Sequence, residues 1–139
     1  MANSKAKPRA ADAALILVTV GSEEQASAIG RTLVDEGLAA CINVIGPIQS
    51  IYRWQSAVQE EREYLLLIKA RELDFTVIER RVRELHTYEL PEVMGLRFDR
   101  GSRPYLEWML ASTGTAWRSK RSGSGQALSR RSLKRARSG

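Results

Sequence analysis

Residues 38–54 read LAACINVIGPIQSIYRW, and whether this run is one element or two decides the fold. Its β-branched and aromatic residues suit a strand. Gly46-Pro47 interrupts it, and proline donates no ladder hydrogen bond, so the run reads as one long strand with a bend or bulge at that point. Gln55-Ser56 then makes a tight turn into a third strand from about Val58 to Ala70. The centre of that strand, YLLLI (64–68), is apolar on both faces, which places it inside a sheet rather than at an edge.

Upstream, ALILVTV (14–20) reads as a buried strand. Ser22 fits a helix N-cap, with Gln25 three residues on and Glu23 and Glu24 at the positive helix end. Ala26, Ile29 and Leu33 recur at helical spacing, and Gly37 is placed to close the helix in a left-handed cap. Downstream, Phe75, Ile78, Val82 and Leu85 form one apolar stripe on a helix running from Glu72 to His86, and Pro91 bars its continuation. Glu92–Asp99 reads as a fourth strand, and Tyr105–Leu110 as a short last helix. The order β-α-β-β-α-β plus a helix implies an α+β, ferredoxin-like sheet, with extended second and third strands and two helices on one face. The other face is left bare. An apolar sheet face needs a cover, and self-association supplies one.

The charge is unevenly distributed. Residues 118–139 carry eight Lys and Arg and no acid, and residues 1–11 carry three basic residues. Residues 12–117 hold eleven basic residues against all sixteen acidic ones. An acidic domain, 12–113, is therefore expected between a basic N-terminal segment, 1–11, and a basic tail, 114–139, both disordered. The tail could contact acidic partners or nucleic acid. Cys41 is the single cysteine, which excludes an internal disulfide framework and suits a reducing, cytoplasmic setting. No apolar run approaches the roughly 18 residues of a membrane span. The chain has no nucleophile elbow, P-loop or Gly-x-Gly-x-x-Gly motif, so no catalytic constellation is expected.

GLAACINVI (37–45), SIYRWQSAVQEERE (50–63), LLIKA (66–70), LHTYELPEV (85–93) and YLEWMLAS (105–112) stand in unbroken order. Together they resemble the CutA divalent-cation tolerance family. The resemblance implies a homotrimer whose long hairpins reach across subunits, linked to the response to metal ions, copper in particular, and acting by binding rather than catalysis. It is similar in architecture to nitrogen-regulatory signalling trimers, which implies ligand sensing. The family's copper site uses a first-strand cysteine and two adjacent histidines. The matching positions here are Val18, Leu85 and His86, so two of the three ligands are apolar. Glu89, Glu92 and Cys41 are the residues that could complete a site around His86. The alternative is that His86 merely ends a helix. A second reading puts a small molecule or anion in the intersubunit cleft, with Trp54, Glu63, Lys69 and Tyr88 on its walls. Glu63 and Lys69 share one face of the third strand roughly 20 Å apart, so each needs its own partner. Ser56 stands where the family usually has glycine, and Thr87 where it usually has proline.

Overall fold

The computed structural model describes residues 7–114; the two expected basic tails lie outside it, apart from 7–11 and 114 at its margins. Seven main elements follow in order: β1 (Ala13–Val20), α1 (Glu23–Asp35), β2 (Ala39–Trp54), β3 (Ala57–Arg71), α2 (Phe75–Leu85), β4 (Met94–Arg97) and α3 (Arg103–Ala111). The strands form one four-stranded sheet in the order β2-β3-β1-β4, and every pairing is antiparallel. The fold is therefore mixed α+β, as the periodicities imply.

The ends of α1 follow from its sequence. Ser22 Oγ accepts from the Gln25 backbone N–H at 3.1 Å, satisfying one of the helix's orphan donors. Gly37 takes φ 74°, and the N–H groups of Gly37 and Leu38 bond back to Val34 and Leu33, the left-handed closure that glycine permits. Both long helices pack on one face of the sheet. Ile16, Val18 and Val20 of β1 and Leu66 and Ile68 of β3 are buried against Ala26, Ile29 and Leu33 of α1 and Ile78 and Val82 of α2. Each fully buried aliphatic side chain there contributes about 1.5–3 kcal/mol.

The second face is not wholly bare, as the sequence had suggested. α3 covers one end of it, where Leu106 and Met109 pack on Ala13. Beyond that end, Leu15, Leu17, Leu65 and Leu67 are half-buried, and Met94 and Leu96 stand exposed.

Three boundaries differ from expectation. A 3-10 turn, Glu72–Asp74, precedes α2, which starts only at Phe75 and stops at Leu85. β4 keeps four residues because it pairs with β1 only from Ala14 to Leu17. α3 starts two residues early, with proline in its first turn, where a missing N–H costs nothing.

β2 and β3 outrun the sheet. β1 ends with Val20 opposite Tyr64, so from Glu63 onward β3 pairs with β2 alone. The register of β2 breaks between Ile45 and Ile48, at Gly46-Pro47, the bulge that the proline required. At the ribbon's tip Gln55 and Ser56 have φ 51° and 68°, the two left-handed residues of the turn that matches strand twist.

Candidate functional site

The segment after α2 wraps round the end of β1 and meets β3 where sheet becomes ribbon. His86 has an extended backbone, φ −79° and ψ 147°, so the helical turn that would have set Glu89 beside it does not form. The His86 ring is turned inward and 9% exposed. Its Nδ1 accepts the Tyr88 backbone N–H at 3.0 Å, so Nε2 is the protonated nitrogen and donates to the Thr19 carbonyl at 2.7 Å. This carbonyl lies beyond Leu17, where β4 pairing stops; the imidazole supplies the donor that β4 no longer provides. Both ring nitrogens are committed, and neither has a lone pair free for a metal.

Tyr88 continues the chain of contacts. Its ring centroid lies 4.5 Å from that of His86, and its hydroxyl donates to Glu63 Oε2 at 2.8 Å. Glu63 is 6% exposed, one of the few charged groups buried in the described residues. Burial first, then the hydrogen bond to Glu63, then the charges of Glu63 and Glu61, hold the Tyr88 phenol far above its ordinary range. Glu61 lies two residues from Glu63 on the same strand face, and Tyr52 lies diagonally across the ribbon from it, opposite Gln59. Desolvation first, then the neighbouring Glu61 carboxylate, raises the Tyr52 phenol as well. The result is two carboxylates and two phenol hydroxyls, all oxygen donors, at the neck of the ribbon.

The residues singled out from sequence separate into distinct places. Glu63 and Tyr88 come together. Lys69 stands elsewhere on β3, donating to Asn43 Oδ1 at 2.6 Å with Cys41 Sγ 4.0 Å away. Trp54 is near the ribbon tip, opposite Ala57. Cys41 pairs at the level of Lys69, and Thr19, which holds His86, at the level of Leu65. Those levels are four residues, roughly 13 Å, apart along the strands. Glu89 and Glu92 are exposed. Among the described residues no three His, Cys, Asp or Glu side chains converge to hold a metal ion, so His86, Glu89, Glu92 and Cys41 are not brought together as one ligand set. Val18 is buried in the helix-side core and Leu85 packs against that core. Glu61 was not anticipated as a site residue; the signal was the Glu-x-Glu alternation of 61–63, which puts both carboxylates on one strand face.

A profile described as CutA1 divalent ion tolerance protein matches residues 14–112. This chain belongs to the CutA family. The CutA of Thermus thermophilus is 45% identical over 100 residues, covering 72% of this chain and 97% of that protein. Its solved structure superposes with a TM-score of 0.72 at 44% identity, over 73% of this chain and 99% of the other. The CutA structure from Xylella fastidiosa also superposes at 0.72, with 34% identity over 74% of this chain and 99% of that one. The Arabidopsis thaliana relative, named as chloroplastic, is 38% identical, and this chain spans 54% of its length. An Archaeoglobus fulgidus CutA structure is described as periplasmic, so CutA proteins are named from more than one compartment. No helix among the described residues is long and apolar enough to cross a membrane. The CutA match ends at 112, before the basic run of the tail begins at Arg118.

Proposed function

We propose that this CutA-family chain serves divalent-cation tolerance by binding rather than catalysis, with the cation drawn to the carboxylates of Glu61 and Glu63. The observation that carries this reading is the buried Glu63 carboxylate beside the exposed Glu61. An all-oxygen donor set suits hard divalent cations such as Mg²⁺, Ca²⁺ and Mn²⁺. A copper site on His86 is the less favoured form of the same function, because copper would have to displace one of two ring hydrogen bonds and find its other ligands elsewhere. Calorimetric titration of the full chain with Mn²⁺ and Cu²⁺ separates the two. Mn²⁺ binding lost in Glu63→Gln and kept in His86→Ala is the expected result. Stoichiometric Cu²⁺ binding that disappears in His86→Ala would restore the copper reading and remove this one.

The assembly we propose is a homotrimer in a reducing, cytoplasmic setting. Exposed Met94 and Leu96 beside half-buried Leu15, Leu17, Leu65 and Leu67 support it, as does a β3 edge with no strand beside it from Glu63 to Ala57. Such faces and edges are stable when covered or paired. Light scattering should give three times the 15.6 kDa chain mass; a single-chain mass would refute it. A second reading, a small anion in a cleft between copies, is favoured by Lys69, a half-buried ammonium on this apolar face.

A further inference from the structure

The basic run past the domain is used by neither reading above. Residues 118–139 hold six arginines and two lysines, no acid, and only Leu128 and Leu133 as large apolar residues. They lie past residue 112, where the CutA match ends. We propose that this tail binds single-stranded nucleic acid, presented by one end of the folded domain. The inference stands apart from the cation-binding reading and does not depend on it.

The fold sorts its charge along the sheet. The Gly114 N–H donates to the Gly37 carbonyl at 2.9 Å, and Gly114 lies against the Arg71 guanidinium. Arg71 pairs with Ala13, the first residue of β1, so the N-terminal basic segment meets the sheet where the tail leaves it. Ala10 and Phe98 pack with Leu106 and Met109 of α3 around Ala13, which sets Arg9, Arg100 and Arg103 about the rim of one cluster. Asp12 and Glu72 at this end are each paired, with Arg9 at 3.1 Å and Arg97 at 3.3 Å. Lys7, Arg100 and Arg103 face solvent. They lie outside the leucine face and the β3 edge from Glu63 to Ala57, the surfaces assigned above to contact between copies. The opposite end holds the acid: Glu60, Glu61 and Glu63 on the ribbon and its neck, with Glu89 and Glu92 on the segment after α2, against Arg53 and Arg62. A polyanion is therefore repelled from the ribbon and drawn to the end that carries the tail.

The residue types favour a nucleic-acid strand over other phosphate surfaces. Arginine forks bond phosphate oxygens in pairs and stack on flat rings. Trp117, immediately before the first arginine of the run, offers a base a stacking face. The arginines are spaced by serine and glycine, the composition of sequence-tolerant single-strand binders. An anionic membrane has the same phosphate charge, but two leucines supply no apolar face to insert into it.

Fluorescence anisotropy of the full chain with a labelled oligouridylate, across a salt series, tests this. Affinity should fall steeply as salt rises, through counterion release. The combined variant Arg130→Gln, Arg131→Gln, Lys134→Gln, Arg135→Gln and Arg137→Gln should flatten the log–log slope by about 3, at roughly 0.7 per phosphate neutralised. Trp117→Ala should weaken binding about fivefold or more, the lower end of the stacking scale. Phosphatidylserine vesicles should bind less tightly at the same salt and be indifferent to Trp117→Ala. All these substitutions lie outside residues 7–114, so the described fold is untouched. No binding of the oligonucleotide at low salt, or a slope unchanged in the combined variant, would overturn the proposal. Unchanged binding by Trp117→Ala, or tighter binding to the vesicles, would overturn the assignment to a nucleic-acid strand.

Discussion

Replacing His86 by leucine should destabilise the protein in the complete absence of metal. The ring is 9% exposed and makes two hydrogen bonds, to the Thr19 carbonyl at 2.7 Å and from the Tyr88 N–H at 3.0 Å. Leucine fills much of the same volume, so the loss falls on the polar partners rather than on packing. A net hydrogen bond is worth about 1 kcal/mol, and a buried group left unsatisfied costs about 1–3 kcal/mol. Tyr88 is only partly buried, so the larger share is assigned to the Thr19 carbonyl, whose partner is the buried ring. The expected total is therefore about 2–3 kcal/mol, which for a domain of this size lowers the melting temperature by roughly 10 °C or more. The assay is urea and thermal unfolding in excess EDTA at fixed chain concentration, since self-association would otherwise shift the midpoint. A residue kept only to hold a metal has nothing to lose under those conditions. A change below about 0.5 kcal/mol, the range of an ordinary surface substitution, would refute the structural role given to this histidine.

Three further outcomes follow from the same geometry. Ser56→Gly should stabilise the hairpin by about 0.5–1 kcal/mol, because relief of the φ 68° strain outweighs glycine's extra unfolded-state freedom; a lowered urea midpoint would refute it. Because the Tyr88 phenol is held above its ordinary value, its contribution is complete below the unfolded value near 10 and is lost progressively as pH rises from there through the raised folded value. Stability should thus fall more steeply above pH ~10 in the wild type than in Tyr88→Phe, and parallel curves would refute the coupling. Gly46→Ala should cost about 1–3 kcal/mol in urea unfolding, since its Cβ would collide with the Tyr64 ring.

The fold was legible because its signals are local and repeat. The apolar periods of 14–20, 26–33 and 75–85, the Ser22 cap, the Gly37 closure and the Gly46-Pro47 interruption each depend on neighbours within a few residues, and all reappear in the structure. What failed locally failed where tertiary partners decide. β4 is shorter than its apolar run because pairing with β1 stops at Leu17. The helix stops at Leu85 rather than His86 because the imidazole is drawn to a carbonyl 67 residues away in sequence. No periodicity carries that information.

The same contrast explains why the site was read less well than the fold. A histidine near three glutamates suggests ligands only if the backbone between them is helical, and an extended residue at 86 sends the neighbouring side chains to different places. The two positions that the resemblance matches to copper ligands, Val18 and Leu85, serve the helix-side core: Val18 is buried in it and Leu85 packs against it. His86, beside Leu85 in sequence, is held instead by two backbone hydrogen bonds, to Thr19 and from Tyr88. Polar chemistry at this end of the molecule is left to Glu63 and Tyr88, which pair across 25 residues. They could be listed from sequence as candidates, but only the folded chain, by ending β1 at Val20, creates the space in which they meet.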